Sequence, residues 1–144
     1  MKRISIVVVT TLLGVGILAA QEGPTFMKAN GKNLATVLSA TVKGEKPYDQ
    51  AAIDTALAQL SDTAAKLPTL FPESLKGTPF TGDFSPAPKI WDDKAGFTAQ
   101  IATFAAAVSA AKASVKDLDS LKAALPAIAK SCSGCHEDYR LKNS

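Results

Sequence analysis

From Leu118 onward apolar residues recur at Leu121, Leu125, Ile128, Cys132, Cys135 and Tyr139, alternating steps of three and four. Only an α-helix gathers such positions into one stripe, and a stripe of this kind has to be buried. It carries both of the chain's cysteines, and the single histidine, His136, follows directly. Residues 132, 135, 136 and 139 share one helical face. The fold must therefore present two thiols and an imidazole together on an inward-facing helix surface.

Three earlier segments of this alanine-rich chain show the same period. The first predicted helix starts near Pro24, a residue favoured at the first helical position. Its stripe is Met27, Gly31, Leu34 and Leu38, and Gly44 ends it. This start leaves only about three residues of helix before Met27. Asp49 is placed to cap a second helix with the stripe Ile53, Leu57, Leu60, Ala64 and Leu67, broken at Pro68. A third begins around Pro88 to Ile90 and carries Phe97, Ile101, Phe104, Val108, Ala111 and Val115. Asp117 or Asp119 caps the fourth, and Pro126 inside it should kink it or remove one backbone hydrogen bond.

Between the second and third helices, residues 68–88 hold Pro68, Pro72, Pro79, Pro86 and Pro88 with Gly77 and Gly82. That composition reads as an irregular crossover loop. Its Phe71, Phe80 and Phe84 are expected to pack it onto the helices, because disordered linkers seldom carry such residues. The fold class is all-α: an antiparallel four-helix bundle with one long loop between helices two and three.

The N-terminus reads as an export signal. Lys2 and Arg3 precede an uncharged run from Ile4 to Leu18, and Ala19-Ala20 offers a cleavage site before Gln21. The run is shorter than the roughly 20 residues of a membrane span. Leu18 stands where a small residue is preferred, which keeps an uncleaved anchor as the alternative. The division is thus 1–20 signal peptide and 21–144 a single domain. Without Lys2 and Arg3 the formal charge of +3 falls to +1, no basis for a nucleic-acid or polybasic membrane surface.

Cys132-Ser133-Gly134-Cys135-His136 is the C-x-x-C-H pattern of c-type haem attachment. Cys132 and Cys135 can form thioethers to the two vinyl groups, and His136 then lies under the iron as proximal ligand. A reducible thiol pair or a metal clip is the other reading, with thiol–disulfide exchange as the function. Export favours haem, and the cofactor expected is one haem c per chain. With the histidine and both thiols committed, no spare imidazole or thiol remains for acid–base or nucleophilic catalysis, and the chain is not expected to be an enzyme.

Beyond the motif, Cys132-Ser133-Gly134-Cys135-His136-Glu137-Asp138-Tyr139-Arg140 resembles the signature of the class II c-type cytochromes, the cytochrome c′ superfamily. Lys43-Gly44-Glu45-Lys46-Pro47-Tyr48-Asp49 and Pro88-Lys89-Ile90-Trp91 are similar to the same family, and the likeness spans residues 27–141. The segment Phe26-Met27-Lys28-Ala29-Asn30-Gly31-Lys32-Asn33 resembles the ligand-bearing segment of its low-spin, cytochrome c-556 branch. That resemblance implies Met27 as distal iron ligand. Met27 is also the only methionine besides Met1, although methionine commonly does no more than fill a core gap. The high-spin branch carries an arginine one turn earlier, where this chain has Gly23.

These readings lead to a periplasmic one-electron carrier with a six-coordinate, low-spin haem. The alternative is a high-spin protein that binds nitric oxide or carbon monoxide at an open distal site. Partners are expected to be redox proteins, with Lys28, Lys32, Lys43, Lys46, Arg140 and Lys142 as a possible docking patch; no nucleic acid and no stable membrane insertion after signal removal are expected, and a homodimer is compatible. Tyr139 reads equally as a haem-lining or a core residue. Arg140 and Lys130 read as solvated charges before haem-propionate partners, and Trp91 and Phe97 as packing residues at the porphyrin edge or the bundle end.

Overall fold

The computed structural model describes residues 15–143, with side chains from residue 22 onward. The expected signal peptide falls largely outside the described residues: Lys2, Arg3 and most of the uncharged run lie before residue 15.

Helix α1 (Val15–Asn33) runs on through a π-helical segment, Leu34–Ser39, and a last α turn, Ala40–Val42. Pro24 lies inside α1 and not at its start. Proline's fixed φ is already helical, and the alanines, Gln21 and Glu22 before it favour helix, so the helix extends upstream at the loss of one N–H. Even without residues 1–20, the helix runs from residue 21 to Met27, more than the three residues expected before it. A second correction concerns the stripe: Gly31 is exposed, and Asn30 is buried in its place. The inward row reads Met27, Asn30, Leu34 and Leu38, of which Leu38 is fully enclosed. Gly44 ends the helix as expected, at φ +77°, with the Glu45 N–H donating back to the Ala40 carbonyl at 2.9 Å.

Helix α2 (Gln50–Lys66) is capped by Asp49, whose carboxylate accepts from the N–H groups of Ala51 and Ala52. Ile53, Leu57, Leu60, Ala64 and Leu67 are all buried, and Pro68 follows in a 3-10 turn, Leu67–Thr69. Beyond it the crossover forms another short turn, Glu73–Leu75, and then a strand that periodicity could not reveal. This β1 (Phe84–Pro86) pairs antiparallel with β2 (Arg140–Lys142), with Ser85 opposite Leu141. Three residues are too few to show alternation. Phe71 and Phe80 pack against the core as anticipated, but Phe84 does not. It is 43 % exposed, and the Arg140 guanidinium covers its ring at 4.0 Å.

The third helical segment is split. One turn, Lys89–Asp92, stops at Asp93, whose ψ of 65° is non-helical, and α3 (Lys94–Ser114) starts there. Asp93 caps it by accepting from the Gly96 N–H at 2.9 Å. The predicted α3 stripe is buried throughout. Asp117, not Asp119, caps α4 (Leu118–Tyr139) in a reciprocal capping box with Ser120. The helix continues through Pro126, which lies on the solvent side where water can satisfy the carbonyl freed by the missing N–H.

The bundle is built by α4 lying along α3, α3 against α2, and α2 against α1. Helix α4 meets the first helix chiefly at the π segment and its last turn, whereas the Met27 stretch packs on α2. One hydrophobic core runs from Leu38 and Ile53 through Phe104 and Val108 to Leu121 and Ile128.

Candidate functional site

Cys132, Cys135 and His136 occupy the C-terminal part of α4, all three half-buried. The helix delivers them to one side because its stripe is continuous: Leu121 and Ile128 are fully buried, and the cysteines come one and two turns after Ile128. Neither thiol is in a disulfide. Between them Gly134 faces α3, where an added Cβ would meet the Gln100 amide oxygen at ordinary contact distance, 3.8 Å.

Burial governs the chemistry of the three groups. It pushes the Cys135 thiol up to about 11, with Cys132 and Asp138 adding to the shift, and raises the Cys132 thiol as well. Burial also lowers His136, helped by the nearby Arg140 charge. At neutral pH the site thus offers two protonated thiols and a neutral imidazole. Among the described residues that imidazole has no hydrogen-bond partner, so its lone pair is uncommitted. Met27 stands on α1, half-buried, against the same hydrophobic core that Cys132 and Cys135 border.

Tyr139 belongs to the core, not to an open face. It is 5 % exposed, donates its hydroxyl to Asp93 at 3.0 Å and tilts against Phe97 at 5.2 Å. Its carbonyl accepts from the Ala87 N–H at 3.0 Å, so the end of α4 is tied to both the crossover and the α3 cap. Trp91 closes the bundle end: buried, it donates its indole N–H to the Phe71 and Pro72 carbonyls at 3.1 Å. Phe97 sits between Phe71 and Tyr139. Lys130 and Arg140 are exposed. Sequence reasoning missed one polar cluster beside Met27, formed by Asn30, Asn33, Gln59 and Thr63. Its signal was available, since Asn30 and Thr63 interrupt otherwise apolar helix faces.

Comparison with known proteins bears on this constellation. The family profile described as cytochrome C′ matches residues 19–140. The chain belongs to the cytochrome c′ family. A cytochrome c-556 of Rhodopseudomonas palustris is 55 % identical to this cytochrome over 117 residues, covering 81 % of this chain and 78 % of the relative. A cytochrome c′ of the same organism is 37 % identical over 147 residues, covering 99 % and 98 %. An NMR-validated structural model of oxidised R. palustris cytochrome c556 superposes with a TM-score of 0.77 at 50 % identity, covering 88 % of this chain and 98 % of that one. The cofactor of this cytochrome is accordingly covalently attached haem c. The donor set fits it: two thiols at the attachment spacing and a neutral, unpartnered imidazole beside them, on one helix. Among the described residues no helix is long and apolar enough to cross a membrane.

Proposed function

We propose that this cytochrome is a one-electron carrier of the bacterial periplasm, exported by its first twenty residues. Cys132 and Cys135 would hold the haem as thioethers, His136 would be the proximal ligand and Met27 the distal one. The haem, when bound, supplies the one-electron change between ferric and ferrous iron. One observation carries the reading: Met27, the sole methionine after Met1, is half-buried on the core that the two cysteines also border.

The residues' work is then to hold still. With His136 and the Met27 sulfur both bound, the iron would have no open position and a raised potential. Neither side chain has to leave when the charge changes, which keeps reorganisation small. The α3–α4 packing and the Tyr139–Asp93 tie immobilise the helix that carries both attachment cysteines and the proximal ligand. The 55 % identity to a cytochrome c-556 supports the same branch. Exposed Lys28 and Lys32, one and five residues after Met27, are the groups we assign to docking an acidic redox partner.

The test is an absorption spectrum of the exported protein, oxidised and reduced, beside Met27→Ala. Wild type should be low-spin in both states, with the weak far-red methionine–iron band when oxidised, and Met27→Ala should lose that band. A second reading, gas binding at an open distal position, draws on the half-exposure of Met27 and the 37 % identity to a cytochrome c′. A high-spin wild-type spectrum would favour it.

A further inference from the structure

Asn30 is a buried amide on the helix that carries Met27, one turn further on, and it does not face solvent as an asparagine in a surface helix would. Its carbonyl oxygen accepts from the Gln59 amide at 3.0 Å and from the Thr63 hydroxyl at 2.9 Å, both on α2. Gln59 also donates to the Thr63 hydroxyl at 2.9 Å, and its own carbonyl oxygen accepts from Asn33 at 2.8 Å. Thr63 is fully buried, and no buried side-chain polar atom among the described residues is left unpaired.

Apolar contacts alone let a helix rotate or slide at small cost, because Leu and Ala surfaces interlock in more than one way. A closed set of directional hydrogen bonds does not, since a slip leaves buried polar groups unpaired. Asn30 and Met27 are three residues apart, so fixing the rotation of one fixes the other. The opposite side of Met27 is held too. Gly23, four residues earlier, is buried so closely against Phe71 that an added Cβ would lie 3.1 Å from its ring. Lys66 of α2 covers the Phe26 ring at 4.8 Å.

We propose that Asn30, Gln59 and Thr63 are positioning residues that set the rotation of α1 on α2 and thereby keep the Met27 thioether presented to the haem side. The inference rests on the proposed ligation by Met27. It also explains why polar residues occupy a helix interface that alanine or leucine could fill.

The experiment uses the exported haem protein in five forms: wild type, Met27→Ala, Thr63→Val, Thr63→Ser and Val108→Ala. Val108 is buried on α3 and takes no part in the network, so its variant reports a general loss of stability. Well below each melting temperature, the readouts are the far-red methionine–iron band and the carbon monoxide concentration that half-saturates the reduced protein. Thr63→Val should weaken the band and bind carbon monoxide roughly tenfold more readily, equivalent to about 1.4 kcal/mol against methionine. Thr63→Ser, which keeps the hydroxyl, and Val108→Ala should match wild type. A Thr63→Val spectrum and carbon monoxide affinity like those of Val108→Ala would overturn the positioning role while leaving ligation by Met27 intact. Absence of the band in wild type, unchanged in Met27→Ala, would overturn the ligation and this inference with it.

Discussion

The Tyr139 hydroxyl, on the last residue of α4, donates to the Asp93 carboxylate that caps α3, at 3.0 Å. Three residues after His136, the helix of the haem motif is thus fastened to the first turn of its main packing partner. The geometry is tight enough that Gly96, whose N–H the same carboxylate caps, has no room for a side chain. A Cβ there would collide with both the Asp93 carboxylate and the Tyr139 hydroxyl.

Gly96→Ala is therefore expected to destabilise the fold, although alanine is the better helix former by about 1 kcal/mol. Overpacking of this sort costs about 1–3 kcal/mol, and here the crowded atoms are a cap and its partner. Urea unfolding of the haem protein should show a lower midpoint at unchanged slope. A stabilised variant would mean that the cap and Tyr139 move aside freely.

Acid and alkali should each undo the Tyr139–Asp93 tie. The Gly96 N–H, and after it the Tyr139 hydroxyl, hold the Asp93 carboxyl below the usual carboxylate range. Its stabilisation is complete above that range and is lost as pH falls through the lowered value. Burial, and after it the bond to Asp93, push the Tyr139 phenol above the ordinary tyrosine range. That contribution is complete below the ordinary range and is lost as pH rises through the raised value. Melting temperature against pH should fall at both ends, and Tyr139→Phe should flatten the alkaline fall. Asp117, held low by Ser120, keeps part of the acid fall in that variant.

Much of this architecture is legible in the sequence because burial follows the helical period. Ile53, Leu57, Leu60, Phe97, Ile101, Phe104 and Val108 are all core residues on the predicted stripes. The caps at Asp49 and Asp117 and the stop at Gly44 follow from local chemistry alone. What could not be read depends on contacts between distant segments. Residues 84–86 become a strand only because residues 140–142 lie beside them. Asn30 is buried only because Gln59 and Thr63 stand opposite to satisfy it. Phe84 escapes the core because Arg140 offers its ring a cation at the surface. The spacing of Cys132, Cys135 and His136 is a local pattern and visible at once, whereas Met27 belongs to another helix, and any relation it has to them depends on how the bundle packs.

Trp91 should matter for the crossover rather than for the haem. Replacing it with Phe keeps most of the apolar volume but leaves the Phe71 and Pro72 carbonyls without their indole donor. A loss of about 1–2 kcal/mol is expected. Proteolysis between residues 72 and 86 should quicken, and the reduced absorption spectrum should stay as in wild type. A changed spectrum would place Trp91 in contact with the porphyrin.

Attachment through α4 predicts a graded result for the thiols. Cys132→Ala or Cys135→Ala leaves one thioether, so haem should still migrate with the chain on a denaturing gel, at reduced yield. The double variant should release all of it to acidified organic solvent. Haem retained by the double variant would contradict the assignment of both residues.

The claim that Met27 and His136 together hold the iron is tested most directly by proton NMR of the reduced haem protein. A methionine methyl held over the porphyrin ring current resonates far upfield of every other protein signal. The account predicts one such methyl resonance in wild type and its disappearance in Met27→Ala. Broad paramagnetic lines of a high-spin reduced iron, with no upfield methyl in either protein, would contradict it.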